Sequence, residues 1–301
     1  MEVGQPSGTA LSAALLRAVH LVCDGEPPIL RDDLAAGLCG VQDPARLQAL
    51  LARMRTEATT VVGAAQADTV LRAVRAAVLT RTRYTEEAVR AALPRGLTQY
   101  VILGAGLDTF AYRHRDLAAT LHVFEVDHPT TQAWKRARLQ ALQIPLPAHL
   151  TFIPVDFERQ SLMEALIIGG YRPEVPALFS LLGVTQYLTA DAVWATLRHV
   201  ATASTGSEVV CGYLVPPSSL DTDNQRVLTF LQAITATRGE PIRTFFTPDA
   251  VASGLSALGF SEIRDIGSDG VLAQYTHGRT DGLQTPQTHR LVHARAGTAR
   301  A

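Results

Sequence analysis

From residue 100 onward, short apolar runs alternate with helix-patterned stretches, and this alternation constrains the fold more than any other feature. Strand-like runs occupy 100–103, 122–126, 151–155, 177–184 and 208–214. Between them, 108–118 reads as a turn or short helix, and 129–142, 158–168, 190–203 and 222–238 read as helices. Parallel strands need such long crossovers, so the pattern predicts an α/β, doubly wound, mostly parallel sheet with helices on both faces. Two further runs, 262–266 and 271–275, flank GSDG and predict a closing hairpin with one strand antiparallel to the rest. From about His277 the chain is polar without a clear period, and a poorly ordered or loosely docked tail is expected.

The first third is helical in texture. Leu11, Ala14, Leu15, Ala18, Val19 and Val22 recur at helical spacing over 9–23, with Ser7 or Thr9 as cap, and GEPP at 25–28 ends the run. Asp43-Pro44 restarts a helix, as a cap residue followed by proline in the first turn. Two or three helices then run to about Leu93, with Gly63 a break and Pro94 and Gly96 the end. The expected division is a helical cap over 1–95, a Rossmann-like core over 96–278 and a polar tail over 279–301, within one compact unit.

A length of 301 residues, 47% of them hydrophobic, suffices for a full core, and a net charge of −1 offers no field for nucleic acid. Cys23, Cys39 and Cys211 are scattered without a Cys-x-x-Cys spacing. Disulfides and metal sites are therefore not expected, and a reducing cytoplasm is. The first twenty residues lack a signal-peptide pattern, and no apolar run approaches a membrane span.

In sheets of this kind ligands sit at the carboxyl ends of the strands. There the chain places Gly104-Ala105-Gly106-Leu107-Asp108, then Glu125-Val126-Asp127, then Asp156-Phe157, then Gly183-Val184-Thr185-Gln186-Tyr187. Asp127 lies 21 residues after Gly106, the usual distance for a carboxylate on a ribose. The pattern fits a dinucleotide or S-adenosylmethionine. A dinucleotide loop wants a third glycine where Thr109 stands, and Asp108 would repel a pyrophosphate. The sulfonium and ammonium of S-adenosylmethionine suit an acid there. Asp108 can also cap the helix that follows.

GAGLDTFAYR, FEVDHP, PVDFER and FSLLGVTQYLT, in this order and spacing, resemble the leucine carboxyl methyltransferase family. The likeness is closest to its bacterial branch of S-adenosylmethionine-dependent O-methyltransferases, some acting on polyketides and other natural products. It runs from about residue 8 to 278, and GEPIRTFFTPDAV at 239–251 is similar to a substrate-side segment of that branch. The resemblance implies that Arg81 binds the methionine carboxylate, with Arg83 the neighbouring alternative. It also implies that Gly104, Ala105 and Gly106 form the cofactor loop and that Asp127, or Glu125 on the same strand face, holds the ribose. Asp156 and Phe157 would flank the adenine, although Asp156 can instead cap the following helix. One position departs: Leu182 stands where the family has a glutamate, leaving Asp108 or loop carbonyls for the cofactor's amino group. The departure leaves open a fold that binds the cofactor and catalyses another reaction or none.

A carboxylate acceptor is already a nucleophile at neutral pH, whereas a phenol benefits from a base. None of His20, His122, His128 and His199 is marked as that base, which points to a carboxylic acid. Tyr187 is placed to line the acceptor pocket and take part in catalysis. Leu16, Val19 and His20, with Phe245 and Phe246, suggest an apolar or aromatic small molecule. Whether the chain is a monomer or a homodimer stays open at this level.

Overall fold

The computed structural model describes residues 7–41, 43–156 and 160–297. Its single sheet holds β1 (Gln99–Leu103), β2 (His122–Asp127), β3 (Leu150–Pro154), β4 (Ala177–Leu181), β5 (Glu208–Leu214), β6 (Phe260–Ile266) and β7 (His289–Ala296). The spatial order is β3-β2-β1-β4-β5-β7-β6. The first five strands run parallel, and β7 lies antiparallel between β5 and β6. The helices are α1 (Gly8–Cys23), α2 (Ala35–Leu38), α3 (Pro44–Val62), α4 (Ala64–Ala92), α5 (Phe110–Arg113), α6 (Pro129–Ala141), α7 (Leu162–Ile168), α8 (Ala190–Ala201), α9 (Thr222–Thr237) and α10 (Pro248–Ala257).

The central strands are buried on both faces, which is why they read as continuous apolar runs. Val101, Leu103, Phe179 and Leu181 pack into the core on one side of the sheet, and Tyr100, Ile102, Leu178 and Val210 into that on the other. Local chemistry sets the helix ends. The Ser7 hydroxyl accepts from the Ala10 N–H at 3.1 Å, and the Asp43 carboxylate accepts from the Ala45 N–H at 3.0 Å just before Pro44. Gly63, at φ 84°, separates α3 from α4. None of the described helices is long and apolar enough to cross a membrane.

The carboxyl end of the chain departs from expectation. Residues 271–275 form a short 3-10 turn, and the antiparallel partner of β6 is β7. The segment expected to be a polar tail thus contributes an interior strand. Its charged residues hid it, and each is satisfied by a neighbouring strand: the Arg290 guanidinium pairs with Asp265, and His293 and Arg295 approach Glu208. The stretch before β7 is also tied down, because Arg279 donates to the carbonyls of Gly25 and Pro27 at 2.5 and 2.7 Å. Two smaller differences concern strand and helix ends. β4 stops at Leu181, ahead of Gly183, and α7 starts at Leu162 with Ser161, not Asp156, as its cap.

The turns after β1 to β4 gather at one edge of the sheet. Above them, α1 packs on α3 and α4, and α9 packs on the same two helices.

Candidate functional site

A cavity of about 510 Å³ opens between that sheet edge and the four helices, within the range of small-molecule sites. Its floor is the glycine turn after β1. The N–H groups of Gly104 and Ala105 both donate to the Val126 carbonyl, at 2.8 and 3.0 Å, which stitches the turn to β2. Gly104 has φ 73°, and a Cβ there would lie 2.3 Å from Cγ2 of Val184. Only glycine lets the turns after β1 and β4 meet this closely. Gly183, at φ 72°, serves the other wall, since a Cβ on it would stand 2.7 Å from a guanidinium nitrogen of Arg81.

Arg81, from the middle of α4, lines the cavity. Among the described residues no carboxylate comes within ion-pair distance of it, and burial pushes its guanidinium down to about 10. Arg83 instead pairs with Glu87 on the outer face of α4, at 2.5 Å, and is excluded from the cavity by helical periodicity. Acids line the same cavity from the strand ends. Asp127 accepts from the Gly106 N–H through Oδ2 and from the His128 N–H through Oδ1, the latter at 2.6 Å. Burial raises its carboxyl above the usual range despite these donors. A carboxylate has about four acceptor positions, so two remain for a ligand. Asp108 lines the cavity and also accepts from the Phe110 N–H at 2.7 Å, one residue ahead of Thr109, the N-cap of α5. Asp156 lines the cavity after β3, and Phe157 lies outside the described residues.

Glu125 is not in the cavity. Asp127 ends β2 at the open edge, whereas Glu125 sits one repeat deeper, sealed beneath α6 at 1% exposure. There its Oε2 accepts from Lys135 Nζ at 2.5 Å, and burial raises the carboxyl to about 7. Lys135, the only lysine of the chain, also donates to the Asp108 carbonyl at 2.6 Å. It thus braces the glycine turn from below, a role nothing in the sequence signalled.

On the acceptor side, Leu16, Leu182 and Tyr187 line the cavity, with Val74 and Val78 of α4 and Phe230, Leu231 and Ile234 of α9. Burial raises the Tyr187 phenol. Four expected residues are elsewhere. His20 is buried among its own partners, its Nε2 accepting from the Ile29 N–H at 2.9 Å and its Nδ1 bonded to Asp24 at 2.8 Å. Both ring nitrogens are therefore spent on holding the loop after α1. Phe245 and Phe246 pack against the core, Phe246 edge-on to Trp194 at 5.5 Å, while Glu240, Pro241 and Arg243 of the same segment reach the cavity. Val19 belongs to the cluster between α1, α2 and α3.

His289 and Arg238 are cavity residues that sequence reasoning missed. His289 opens β7 opposite Leu214, the last residue of β5, and so stands at the ligand edge. Burial, with Arg81 nearby, pushes its imidazole down to about 3 and keeps it neutral. Together these groups complement a ligand that carries a carboxylate for Arg81, a diol for Asp127 and cationic centres for the acids.

The leucine carboxyl methyltransferase family model matches residues 10–201. A Bacillus subtilis protein, "Putative S-adenosyl-L-methionine-dependent methyltransferase YktD", is 32% identical over 72% of this chain and 71% of its own length. A Mycobacterium tuberculosis protein bearing the same description, Rv1896c, is 31% identical over 68% of this chain and 63% of its own, so the match leaves over a third of that relative uncovered. Among solved structures, a "putative methyltransferase" from Thermobifida fusca superposes with a TM-score of 0.58 at 16% identity, over 99% of this chain and 97% of that one. A DUF574 family protein from Streptomyces avermitilis gives 0.56 at 16% identity, over 80% and 96%. At such identity the two structures speak for the fold alone.

Proposed function

The chain belongs to the leucine carboxyl methyltransferase family and is an S-adenosylmethionine-dependent methyltransferase; on that premise we propose that it methylates a carboxylic-acid oxygen of a small apolar or aromatic acceptor. The observation that carries the placement of the cofactor is Arg81, a guanidinium inside the cavity with no acid of its own among the described residues. It would hold the methionine carboxylate. The two acceptor positions left on Asp127 would take the ribose hydroxyls, and Asp156 the adenine amine. With Leu182 where the family has glutamate, Asp108 and the carbonyls of the Gly104–Gly106 turn are the acceptors for the amino group.

When bound, S-adenosylmethionine supplies a methyl group on a sulfonium, open to in-line attack by an oxygen lone pair. The remaining work of the protein is to hold the two reactants in line and keep water out, which can supply several kcal/mol. The helices α1, α4 and α9 wall the cavity with apolar side chains suited to that task. The choice of a carboxylate rests on the described cavity groups. His289 is held neutral far below the physiological range, and the Tyr187 phenol is raised. His128 accepts from the Thr130 N–H through Nδ1, which leaves the proton on Nε2. A carboxylate needs no base, so these groups suffice for it. Tyr187 would then contact the acceptor and orient it.

Calorimetric titration with S-adenosylhomocysteine and with NAD tests the cofactor site, and only the former should bind. Methyl-labelled S-adenosylmethionine is then offered with a panel of aryl and alkyl carboxylic acids and phenols. Label is expected in base-labile methyl esters. Transfer to phenols alone would remove the carboxylic-acid assignment, and binding without transfer would leave only a cofactor-binding fold.

A further inference from the structure

The acceptor end of the cavity is walled mainly by apolar side chains, with Arg238 and the carboxylates Glu57 and Glu240 among them. Along α9 and its end, Phe230, Leu231, Ile234, Thr235 and Arg238 form one face at helical spacing, and all line the cavity. Opposite them stand Leu16, Val74 and Val78. Arg238 lays its stem against α1, where a Cβ on Gly8 would come within 3.2 Å of its Cβ and Cδ. That packing aims and immobilises the side chain. Two carboxylates face it, Glu57 and Glu240, and both are engaged elsewhere. Glu57 accepts from Arg53 at 3.1 Å. Glu240 accepts from the Ser7 hydroxyl at 3.1 Å, from the Thr9 N–H at 3.2 Å and from the Thr9 hydroxyl. Among the described residues no carboxylate lies within ion-pair distance of Arg238, and burial lowers its guanidinium below the ordinary value. A half-buried cation in an apolar chamber, without a committed partner, is costly unless a ligand supplies the counter-charge.

We propose that Arg238 is the anion anchor of the acceptor lobe. The acceptor is an amphiphile whose apolar body lies on Leu16, Val74, Val78, Phe230 and Ile234, and whose anchored negative group is distinct from the oxygen that receives the methyl. The distinction follows from charge: a guanidinium bonded to the reacting oxygen would withdraw the electron density that attacks the sulfonium. With a carboxylic acid as the methylated group, the acceptor is a diacid, and its monomethyl ester keeps the anchored charge. The proposal rests on the reading of this cavity as a cofactor and acceptor site, with Arg81 given to the cofactor and Arg238 to the acceptor.

The probes are the monomethyl and dimethyl esters of decanedioic acid, which differ by one negative charge on the same apolar chain. Each is titrated calorimetrically into the full-length parent, Arg238→Gln and Arg238→Lys, with and without S-adenosylhomocysteine, and thermal unfolding verifies that the variants fold. The parent should bind the monomethyl ester at least about tenfold more tightly than the dimethyl ester. Arg238→Gln should erase that preference and Arg238→Lys should keep part of it. Equal binding of the two esters, binding of neither, or a preference that survives Arg238→Gln overturns the anchor. Failure of S-adenosylhomocysteine to bind refutes the cofactor reading separately, since the ester preference is also measured without it.

Discussion

Replacing Lys135 by methionine should expose how the cavity floor is held up. Its Nζ lies 2.5 Å from Glu125 Oε2 and 2.6 Å from the Asp108 carbonyl, and both side chains of the ion pair are 1% exposed. Glu125 Oε1 has no partner of its own, so the lysine is the main support for that charge. Removing one member of a buried pair costs about 3–5 kcal/mol, because the other charge stays behind unpaired. The cost depends on pH in a definite direction. The Glu125 carboxyl is raised to about 7 in the folded chain, so between the ordinary carboxylate range and about 7 the folded state binds more protons than the unfolded one. The contribution of Glu125 to stability is therefore fully present below the ordinary carboxylate range and is lost as pH rises through that window. From pH 6 to 8 the parent loses about 1 kcal/mol on this account, whereas the variant, with Glu125 pushed higher, approaches about twice that. The variant's deficit should thus be about 1 kcal/mol larger at pH 8 than at pH 6. Urea unfolding followed by tryptophan fluorescence measures it, with Trp134 adjacent to the substitution and Trp194 on α8. Lys135→Met/Glu125→Leu should recover more than half of the loss, since an apolar pair carries no buried charge. A deficit independent of pH, or a double variant as unstable as the single one, would refute the reasoning.

Other consequences can be checked on the cavity itself. Asp127→Ala should weaken S-adenosylhomocysteine binding by about 1–3 kcal/mol, through loss of a charged acceptor and of the bond that fixes Gly106; unchanged affinity in calorimetry would remove Asp127 from the cofactor site. Tyr187→Phe should leave that affinity within about twofold of the parent and lower turnover or acceptor affinity, so a variant with parental kinetics would place the phenol outside the reaction. Gly104→Ala should lower stability by about 1–3 kcal/mol, because the methyl meets Val184 at 2.3 Å and the backbone holds a positive φ; a thermal midpoint equal to the parent's would mean that the two turns separate freely.

The strands that proved easiest to read were those buried on both faces. β5 runs over 208–214, the limits its apolar run set, and β1, β2 and α6 differ from expectation by a residue at an end. β7 was illegible for the opposite reason. Its sequence, HRLVHARA, carries four cationic or titratable side chains, and its counter-charges, Asp265, Glu208 and Glu262, lie on β5 and β6. The burial of such a strand depends on partners far away in the chain, and no local period records them. The same long-range dependence misled the hairpin expectation, since GSDG is a sound turn whose second arm winds into a 3-10 turn.

The cavity follows the same logic. Cavity residues in the glycine turn or at strand ends, such as Gly104, Gly106, Asp127 and Asp156, can be read from spacing because the strand fixes where they point. Glu125 shares a strand face with Asp127, yet one repeat of β2 separates the open edge from the space under α6, and periodicity alone cannot supply that depth. Helical residues are harder still. Arg81 and Arg238 look like any solvated arginine in an alanine- or threonine-rich stretch, and what distinguishes them is that, among the described residues, no carboxylate lies within ion-pair distance after folding. A cation with an i+4 partner, like Arg83 with Glu87, already has its counter-charge within its own helix. Arg81 and Arg238 line the cavity instead, and on the proposed reading their counter-charges arrive with the ligands, one for each lobe.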